Sequence, residues 1–282
     1  MAMRLSGAPV RDKILKYILL KGRKAGVNAG LTVLRMGEKP EDLAYEKSII
    51  AMGEKAGITV KVKLLDENMT DKKAKDLISE INNDKSIHGV LLLRPMANKE
   101  AERLIAENLL PSKDVDGITP SCMAGLYGAD KTYFPPCTAR ACMEILSFYN
   151  LSPKGKRVVV IGRSLVLGKP VSMMLLREDA TVTICHSKAP NLQEITKNAD
   201  IVIVAIGRRE AIGGEFFEKG QTVIDVGINV TEENKLIGDV NYEEAFSIVD
   251  NITPVPGGVG SVTASLLLLH CLQSCLGIID KY

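Results

Sequence analysis

A run of β-branched residues that ends in glycine constrains this chain more than any other stretch. Val158-Val159-Val160-Ile161 leads into Gly162-Arg163-Ser164, passes Leu165-Val166-Leu167, and reaches Gly168-Lys169-Pro170 just before an apolar helical pattern. A continuous apolar run of this length reads as a parallel strand buried on both faces. Proline is accepted in a first helical turn because its missing N–H would have no intrahelical partner. Strand, glycine turn and helix start together make an anion site, with free N–H groups and the positive helix end turned to the ligand. The expectation is a nucleotide pyrophosphate over this turn. The spacing is not G-x-G-x-x-G, and similar units occur without any ligand, so the turn alone leaves both readings open.

The rest of the chain alternates strand and helix patterns. Before the turn, Pro9 to Arg23 has helical spacing, and Leu31 to Leu34 reads as a buried strand closing at Gly37 and Pro40. A helix is predicted from Glu41 to Lys55 with Gly57 as its C-cap. Ile58 to Leu65 alternates like a strand, Asp71 to Asn83 repeats like a helix, His88 to Leu93 is a second buried strand, and Asn98 to Asn108 is helical. Ala139 to Phe148 looks helical with Thr138 as N-cap, and Pro153 and Gly155 close a linker. After the turn, strands are predicted at Ala180–Ile184, Ile201–Val204 and Thr222–Val226, a Rossmann-like half-sheet. A Pro/Gly loop from Ile252 to Gly260 precedes an apolar helix from Ser261 to Leu276, which by its pattern alone suits either half of the chain. The fold class is α/β, with largely parallel sheets in two domains.

Composition removes several classes of function. At 282 residues there is room for two domains. A net charge of +2 gives no reason to expect a nucleic-acid or membrane partner, and the lack of tryptophan argues against a base-stacking platform. Residues 1–24 lack a signal-peptide core and no apolar run reaches spanning length, so a cytoplasmic protein is expected. The six cysteines show no CxxC pair and read as reduced, mostly buried thiols. Three scattered histidines add no ligand cluster, so no metal is expected.

Several short motifs occur in a telling order. They are Tyr45 within a helix, Lys113-Asp114-Val115-Asp116-Gly117, Pro136-Cys137-Thr138, the Gly162 and Gly168 turn, Cys185-His186-Ser187-Lys188, Asp225-Val226-Gly227-Ile228-Asn229, and Thr253-Pro254-Val255-Pro256-Gly257-Gly258-Val259-Gly260. Each is weak alone. As an ordered set over nearly the whole chain it resembles the bifunctional methylenetetrahydrofolate dehydrogenase/cyclohydrolases. The resemblance implies a folate domain from 1–145 completed by 262–282, a Rossmann-like NAD(P)-binding domain at 146–261, an active site in the cleft between them, and a homodimer. It implies cofactor contacts at Gly162, Arg163, Ser164, Ser187 and Ile228. It implies substrate contacts at Tyr45, Asp116, Gly257 and Gly258, with Tyr45 and Asp116 in the catalytic machinery and a tetrahydrofolate derivative as substrate.

The residues themselves bear on these roles. An NAD site commonly places an acid near the end of the second strand to bond the ribose hydroxyl. Here that strand runs into His186-Ser187-Lys188, while Arg163, Ser187 and Lys188 suit a 2′-phosphate, so NADP is favoured over NAD. The competing reading makes Lys188 a solvated surface residue. A carboxylate at Asp116 suits a pterin ring edge that presents N–H donors. Its plainer reading is a turn-forming Asp before Gly117. Gly257 and Gly258 either admit backbone close to substrate or serve an ordinary loop.

Two departures from the family pattern decide the expected activity. The family's catalytic lysine, four residues after the tyrosine, is Ile49, and its supporting glutamine is Leu93. Lys47 points about 200° around the helix from Tyr45 and is a poor substitute. Lesser departures are Ala139 after Pro-Cys-Thr, and Ser261-Val262 before Thr263. Hydride transfer from 5,10-methylenetetrahydrofolate needs positioning and no enzyme base. Opening the methenyl ring needs proton transfer. The expected function is a dehydrogenase with cyclohydrolase activity lost or weak. The alternatives are a fully bifunctional enzyme using Lys55 or an ordered water, a non-catalytic folate- or nucleotide-binding protein, and a different Rossmann-type oxidoreductase resembling shikimate dehydrogenase.

Overall fold

The computed structural model describes residues 2–128, 132–233 and 235–278. In chain order the elements are β1 (Met3–Arg4), α1 (Ala8–Ala25), β2 (Gly30–Met36), α2 (Pro40–Ala56), β3 (Thr59–Leu65), α3 (Asp71–Asn83), β4 (Gly89–Leu92), α4 (Lys99–Asn108), α5 (Pro120–Tyr127) and α6 (Cys137–Phe148). There follow β5 (Arg157–Ile161), α7 (Gly168–Arg177), β6 (Thr181–Cys185), α8 (Leu192–Lys197), β7 (Ile201–Val204), β8 (Thr222–Asp225), β9 (Asn229–Val230), β10 (Leu236–Ile237), α9 (Tyr242–Ile248), β11 (Asn251–Ile252) and α10 (Gly260–Leu276). Two compact units form, Met1–Arg11 with Thr138–Thr263, and Asp12–Cys137 with Ala264–Tyr282.

The unit built from Asp12–Cys137 and the chain end carries a three-stranded parallel sheet in the order β3-β2-β4. The apolar stripe of α3, at Ala74, Leu77, Ile78 and Ile81, packs with Ala101, Leu104 and Ile105 of α4 and with Leu34, Val90 and Leu92 of the sheet. Helix α3 starts where the Thr70 hydroxyl accepts the Lys73 N–H, and α4 where the Asn98 side chain accepts the Ala101 N–H. Helix α2 begins with proline and stops at Gly57, which has φ 72°, the left-handed conformation that glycine adopts without strain. On α2 the buried positions are Ile49, Gly53 and Ala56, one face at helical spacing. Helix α10 is apolar all round, and Leu266 to Leu269 are fully buried.

The other unit carries a six-stranded sheet in the order β1-β11-β8-β7-β5-β6. All its pairings are parallel. Strands β7 and β8 are buried throughout, β7 as its continuous apolar run requires. The order reverses between β5 and β7, and loops at the carboxyl ends of strands on either side of such a reversal flank the usual ligand crevice.

The expected boundaries at 145/146 and 261/262 differ from those of the compact units. The units change at 137/138 and 263/264, and residues 1–11 group with the six-stranded sheet. The cause is β1, which pairs with β11 through Met3↔Asn251 and Arg4↔Ile252. Leu5 and Gly7 continue the attachment by donating to the Ile252 and Gly257 carbonyls. Thr138 is not an N-cap, because α6 already starts at Cys137. No helix among the described residues is long and apolar enough to cross a membrane.

A largely buried ion pair ties α2 to β2. Arg35 Nε lies 2.7 Å from Glu46 Oε2, and the same guanidinium donates to the Gly37 carbonyl. Removing one partner of such a pair strands the other charge away from water. Glu46→Ala should therefore destabilise the protein by about 3 kcal/mol in urea unfolding, whereas an exposed acid such as Glu233 should matter little.

Candidate active site

Of the residues singled out for substrate, Tyr45 and Asp116 lie in the unit that carries β2 and β4. Tyr45 sits in the first half of α2, directly after β2, and is partly exposed. Ile49 follows one turn later at 0% exposure. Leu93 continues β4, donating its N–H to the Leu34 carbonyl at 3.0 Å, and is 5% exposed. Lys39 Nζ reaches the Pro95 carbonyl at 2.9 Å, so the segment before α2 and the segment after β4 touch. Lys47 and Lys55 are both exposed. Lys55 lies ten residues beyond Tyr45, roughly 15 Å along the helix.

Asp116 belongs to a loop held from three sides. A parallel bridge between Val90 and Asp114 lays the loop beside β4. Asp114 is fully buried, and its carboxylate accepts the N–H groups of Ile118 at 3.0 Å and Thr119 at 2.7 Å. The Val115 carbonyl accepts from the Cys137 thiol at 3.2 Å and meets His270 Nδ1 at 2.8 Å, which places the ring proton on that nitrogen. The His270 ring stacks on Phe134 with centroids 4.6 Å apart. Burial pushes the Asp116 carboxyl up to about 6; Arg94 beside it opposes that rise, Asp114 adds to it, and hydrogen bonds from Cys137 lower it. Gly117 has φ 67°, and a Cβ there would run into the backbone of Pro135 and Pro136.

The residues singled out for cofactor lie in the other unit. Gly162 follows β5 with φ 134°, and a Cβ on it would collide with the Ala205 carbonyl. A Cβ on Gly168 would collide with the Gly162 carbonyl. These glycines let the turn fold tightly onto the start of α7 and onto the loop after β7, a cradle that side chains would fill. One expectation needs correction. The first amides of α7 are not free, because Ser164 Oγ accepts from Leu167 at 3.1 Å and from Gly168 at 3.4 Å, while the Ser164 carbonyl accepts from Lys169. The serine caps the helix itself, which leaves its hydroxyl proton to donate outward. Arg163, Ser164, Ser187, Lys188 and Ile228 are all exposed. His186 Nδ1 accepts the Lys188 N–H at 3.1 Å and shapes the turn that presents Ser187.

Gly257 and Gly258 have local explanations. Gly257 has φ 99°, and its carbonyl accepts the Gly7 N–H. A Cβ on Gly258 would strike the Pro254 carbonyl. Both glycines belong to the six-stranded unit with the cofactor residues, while Tyr45, Ile49, Leu93 and Asp116 belong to the other.

Three carboxylates matter more than their sequence setting suggested. Asp114, Asp225 and Asp239 are buried and accept loop amides. An Asp between glycines or next to a strand end is the available signal, and it is a weak one. His270 looked like a stray histidine; only the fold brings it to Val115. No group of three or more His, Cys, Asp or Glu residues suited to a metal occurs among the described residues.

An α/β protein with a glycine turn at a topological switch is a dinucleotide-site architecture, and the comparisons with known proteins are more specific. The tetrahydrofolate dehydrogenase/cyclohydrolase catalytic domain matches residues 5–116, and the NAD(P)-binding domain of the same enzymes matches residues 136–277. The bifunctional protein FolD of Clostridioides difficile (strain 630) is 44% identical over 274 residues, 96% of each chain. The crystal structure of the bifunctional FolD dehydrogenase/cyclohydrolase from Campylobacter jejuni superposes with a TM-score of 0.94 at 36% identity, covering 98% of this chain and 99% of that one. The Trypanosoma brucei N5,N10-methylenetetrahydrofolate dehydrogenase-cyclohydrolase, complexed with NADP cofactor and inhibitor, gives a TM-score of 0.90 at 30% identity, covering 98% of both chains. The chain belongs to the tetrahydrofolate dehydrogenase/cyclohydrolase family. That membership matches the resemblance carried by the ordered motifs and displaces the reading as another Rossmann-type oxidoreductase.

The raised Asp116 carboxyl has a pH consequence whose sign is fixed. A folded pKa near 6 against an ordinary 3.8 means that the folded state holds this proton more tightly. Its contribution to stability is complete below about 3.8 and is lost as pH rises through about 6. Urea unfolding at pH 4.5, 5.5 and 6.5 should show that Asp116→Asn lacks this part of the downward slope. An identical slope in both proteins would place the Asp116 carboxyl in its ordinary range.

Proposed function

We propose that this enzyme is an NADP-dependent 5,10-methylenetetrahydrofolate dehydrogenase in which cyclohydrolase activity is lost or weak. The observation that carries the finer part is the full burial of Ile49 on the packed face of α2. At that place the family resemblance calls for the proton-transferring lysine, and Leu93 is likewise buried where its supporting glutamine is expected.

The chain's residues suit the hydride step. The Gly162 turn admits a dinucleotide backbone closely, the Ser164 hydroxyl is left to donate to a phosphate, and Arg163, Ser187 and Lys188 supply cationic and polar groups for a 2′-phosphate. A bound nicotinamide supplies the hydride acceptor. Asp116, with its carboxyl near 6, is mostly ionised at neutral pH and accepts N–H donors of the pterin; Arg94 favours that ionised form. Tyr45 would form part of the surface against which the folate is held. Gly257 and Gly258 are read as backbone contacts to the substrate, and Ile228 as an apolar contact to the cofactor. No protein base is needed for transfer of hydride between two held carbons.

Ring opening is a different demand. Water must be activated and a ring nitrogen protonated, and Ile49 offers neither function. Lys47 lies off the face of Tyr45 and Lys55 lies far along the helix, so neither stands in for the missing lysine. The bifunctional reading, ending in 10-formyltetrahydrofolate, therefore ranks second, and a binding protein without turnover ranks third.

Purified protein given methylenetetrahydrofolate with NADP should accumulate the methenyl product, with formyl product no faster than the enzyme-free control. NAD in place of NADP should be the poorer acceptor. Ile49→Lys with Leu93→Gln should raise formyl production, since positioned acid–base help is worth about 10²–10⁴-fold. Prompt enzyme-dependent formyl product from the unaltered protein would overturn the loss of cyclohydrolase.

A homodimer belongs to the same reading. Strand β6 is an edge of the six-stranded sheet with Ile184 exposed, and the β9–β10 hairpin exposes Val230 and Leu236. Edges of this kind are ordinarily covered. Sedimentation should give twice the 30.6 kDa chain mass; a single chain mass at micromolar concentration would refute it.

A further inference from the structure

The loop after β7 forms one side of the topological switch and is held by a side chain distant in sequence. Asp239, which follows β10, is fully buried. Its Oδ2 accepts the N–H groups of Ile206 at 2.7 Å and Gly207 at 2.9 Å. Its Oδ1 accepts the N–H of Arg208 at 2.8 Å and the side-chain amide of Asn229 at 3.0 Å. Three consecutive backbone amides converging on one anion are the arrangement that elsewhere binds phosphate. Here the anion is internal, so these amides are spent and the loop acts as a fixed wall.

Asp225, at the end of β8, fastens Asp239 in turn. Its carboxylate accepts from Gly227 at 2.9 Å, from the Asp239 N–H at 3.2 Å and from Val240 at 3.0 Å. Gly227 and Gly238 make this reach feasible, because a Cβ on either would run into one of the two carboxylates. The loop after β7 is thus tied to the loop after β8, which carries Ile228. The opposite side of the switch is the Gly162 turn, where an added Cβ would strike the Ala205 carbonyl. Both sides lie at the carboxyl ends of parallel strands, where a dinucleotide rests.

We propose that Asp239, backed by Asp225, is a positioning residue for the dinucleotide: it clamps the 206–208 amides and so fixes the wall of the crevice facing the Gly162 turn. The proposal rests on the reading of this unit as the cofactor-binding one. Asp239 does not touch the cofactor; it acts through the loop.

Asp239→Asn keeps the shape and replaces one acceptor oxygen by a donor, so at least one clamped amide then faces another N–H. In the full-length protein, calorimetric NADP binding should weaken roughly tenfold, the scale of one charge-assisted hydrogen bond. The KM for methylenetetrahydrofolate at saturating NADP should stay within about twofold. Amide exchange at residues 206–208 should accelerate while β5, β7 and β8 stay protected, a pattern that general destabilisation does not produce. Unchanged exchange at 206–208 would show that Asp239 is not the clamp, and faster exchange with unchanged NADP affinity would show that the loop is not the wall.

Should Asp239→Asn fail to fold, Gly207 offers a second route. It has φ 64°, and a Cβ there meets nothing within 4 Å. Gly207→Val strains the left-handed backbone and should weaken NADP roughly tenfold, whereas Gly207→Asn tolerates that backbone and should bind nearly as the unaltered protein does. Equal affinity in all three would overturn the proposal. Unaltered protein that binds neither NADP nor NAD would overturn the dinucleotide reading and the cofactor role with it, while the exchange pattern would still report the clamp itself.

Discussion

Loops at the carboxyl end of a parallel sheet lie beyond the ladder that fixes the strands, and here buried carboxylates take over that work. Asp114, Asp225 and Asp239 together accept backbone N–H groups from Gly227, Asp239, Val240, Ile118, Thr119 and the 206–208 segment. A buried carboxylate is costly unless it is well hydrogen-bonded, and a buried amide is costly unless it is accepted. Each cost cancels the other only in one loop conformation. That mutual requirement fixes the loops that carry Asp116 and Ile228. It also explains why the six-stranded unit tolerates a raised Asp225 carboxyl, near 6, whose chief cause is burial.

The elements legible in the sequence were those whose hydrophobic pattern is self-sufficient. The bounds of β7, Ile201–Val204, and of α3, Asp71–Asn83, match the sequence reading, because β7 is an unbroken apolar run and α3 carries a helical period. β1 and β11 were not legible. Two residues contain no period, and Met3–Arg4 becomes a strand only because Asn251–Ile252 offers it an edge. That pairing moves the first eleven residues to a different unit from the one expected. Thr138 failed as a cap for a related reason: capping preference is a local rule, and α6 had already begun at Cys137.

The candidate site was legible where glycine and burial leave few options. Gly162 and Gly168 marked a strand-to-helix turn, and the turn stands between β5 and α7. The free helix amides inferred for the same turn are absent, because Ser164 can serve as cofactor contact or as cap from sequence alone, and its hydroxyl oxygen takes the cap. His270 and Asp239 were invisible as partners, since nothing local marks a side chain whose role is to hold a loop 155 or 33 residues away.

The position of Ile49 favours an apolar side chain over a charged one, because it is fully buried. Ile49, Gly53 and Ala56 form one packed face of α2, while Tyr45, one turn before Ile49, is partly exposed. A lysine at full burial must be desolvated, and its ammonium needs a polar partner to stay there. Leu93 is buried and apolar and supplies no such partner, and an isoleucine satisfies packing without any partner at all. Both residues are buried, and a polar side chain placed at either position would need a partner there. Under the proposed reading the hydride step needs no lysine at this position, because it asks only that two carbons be held.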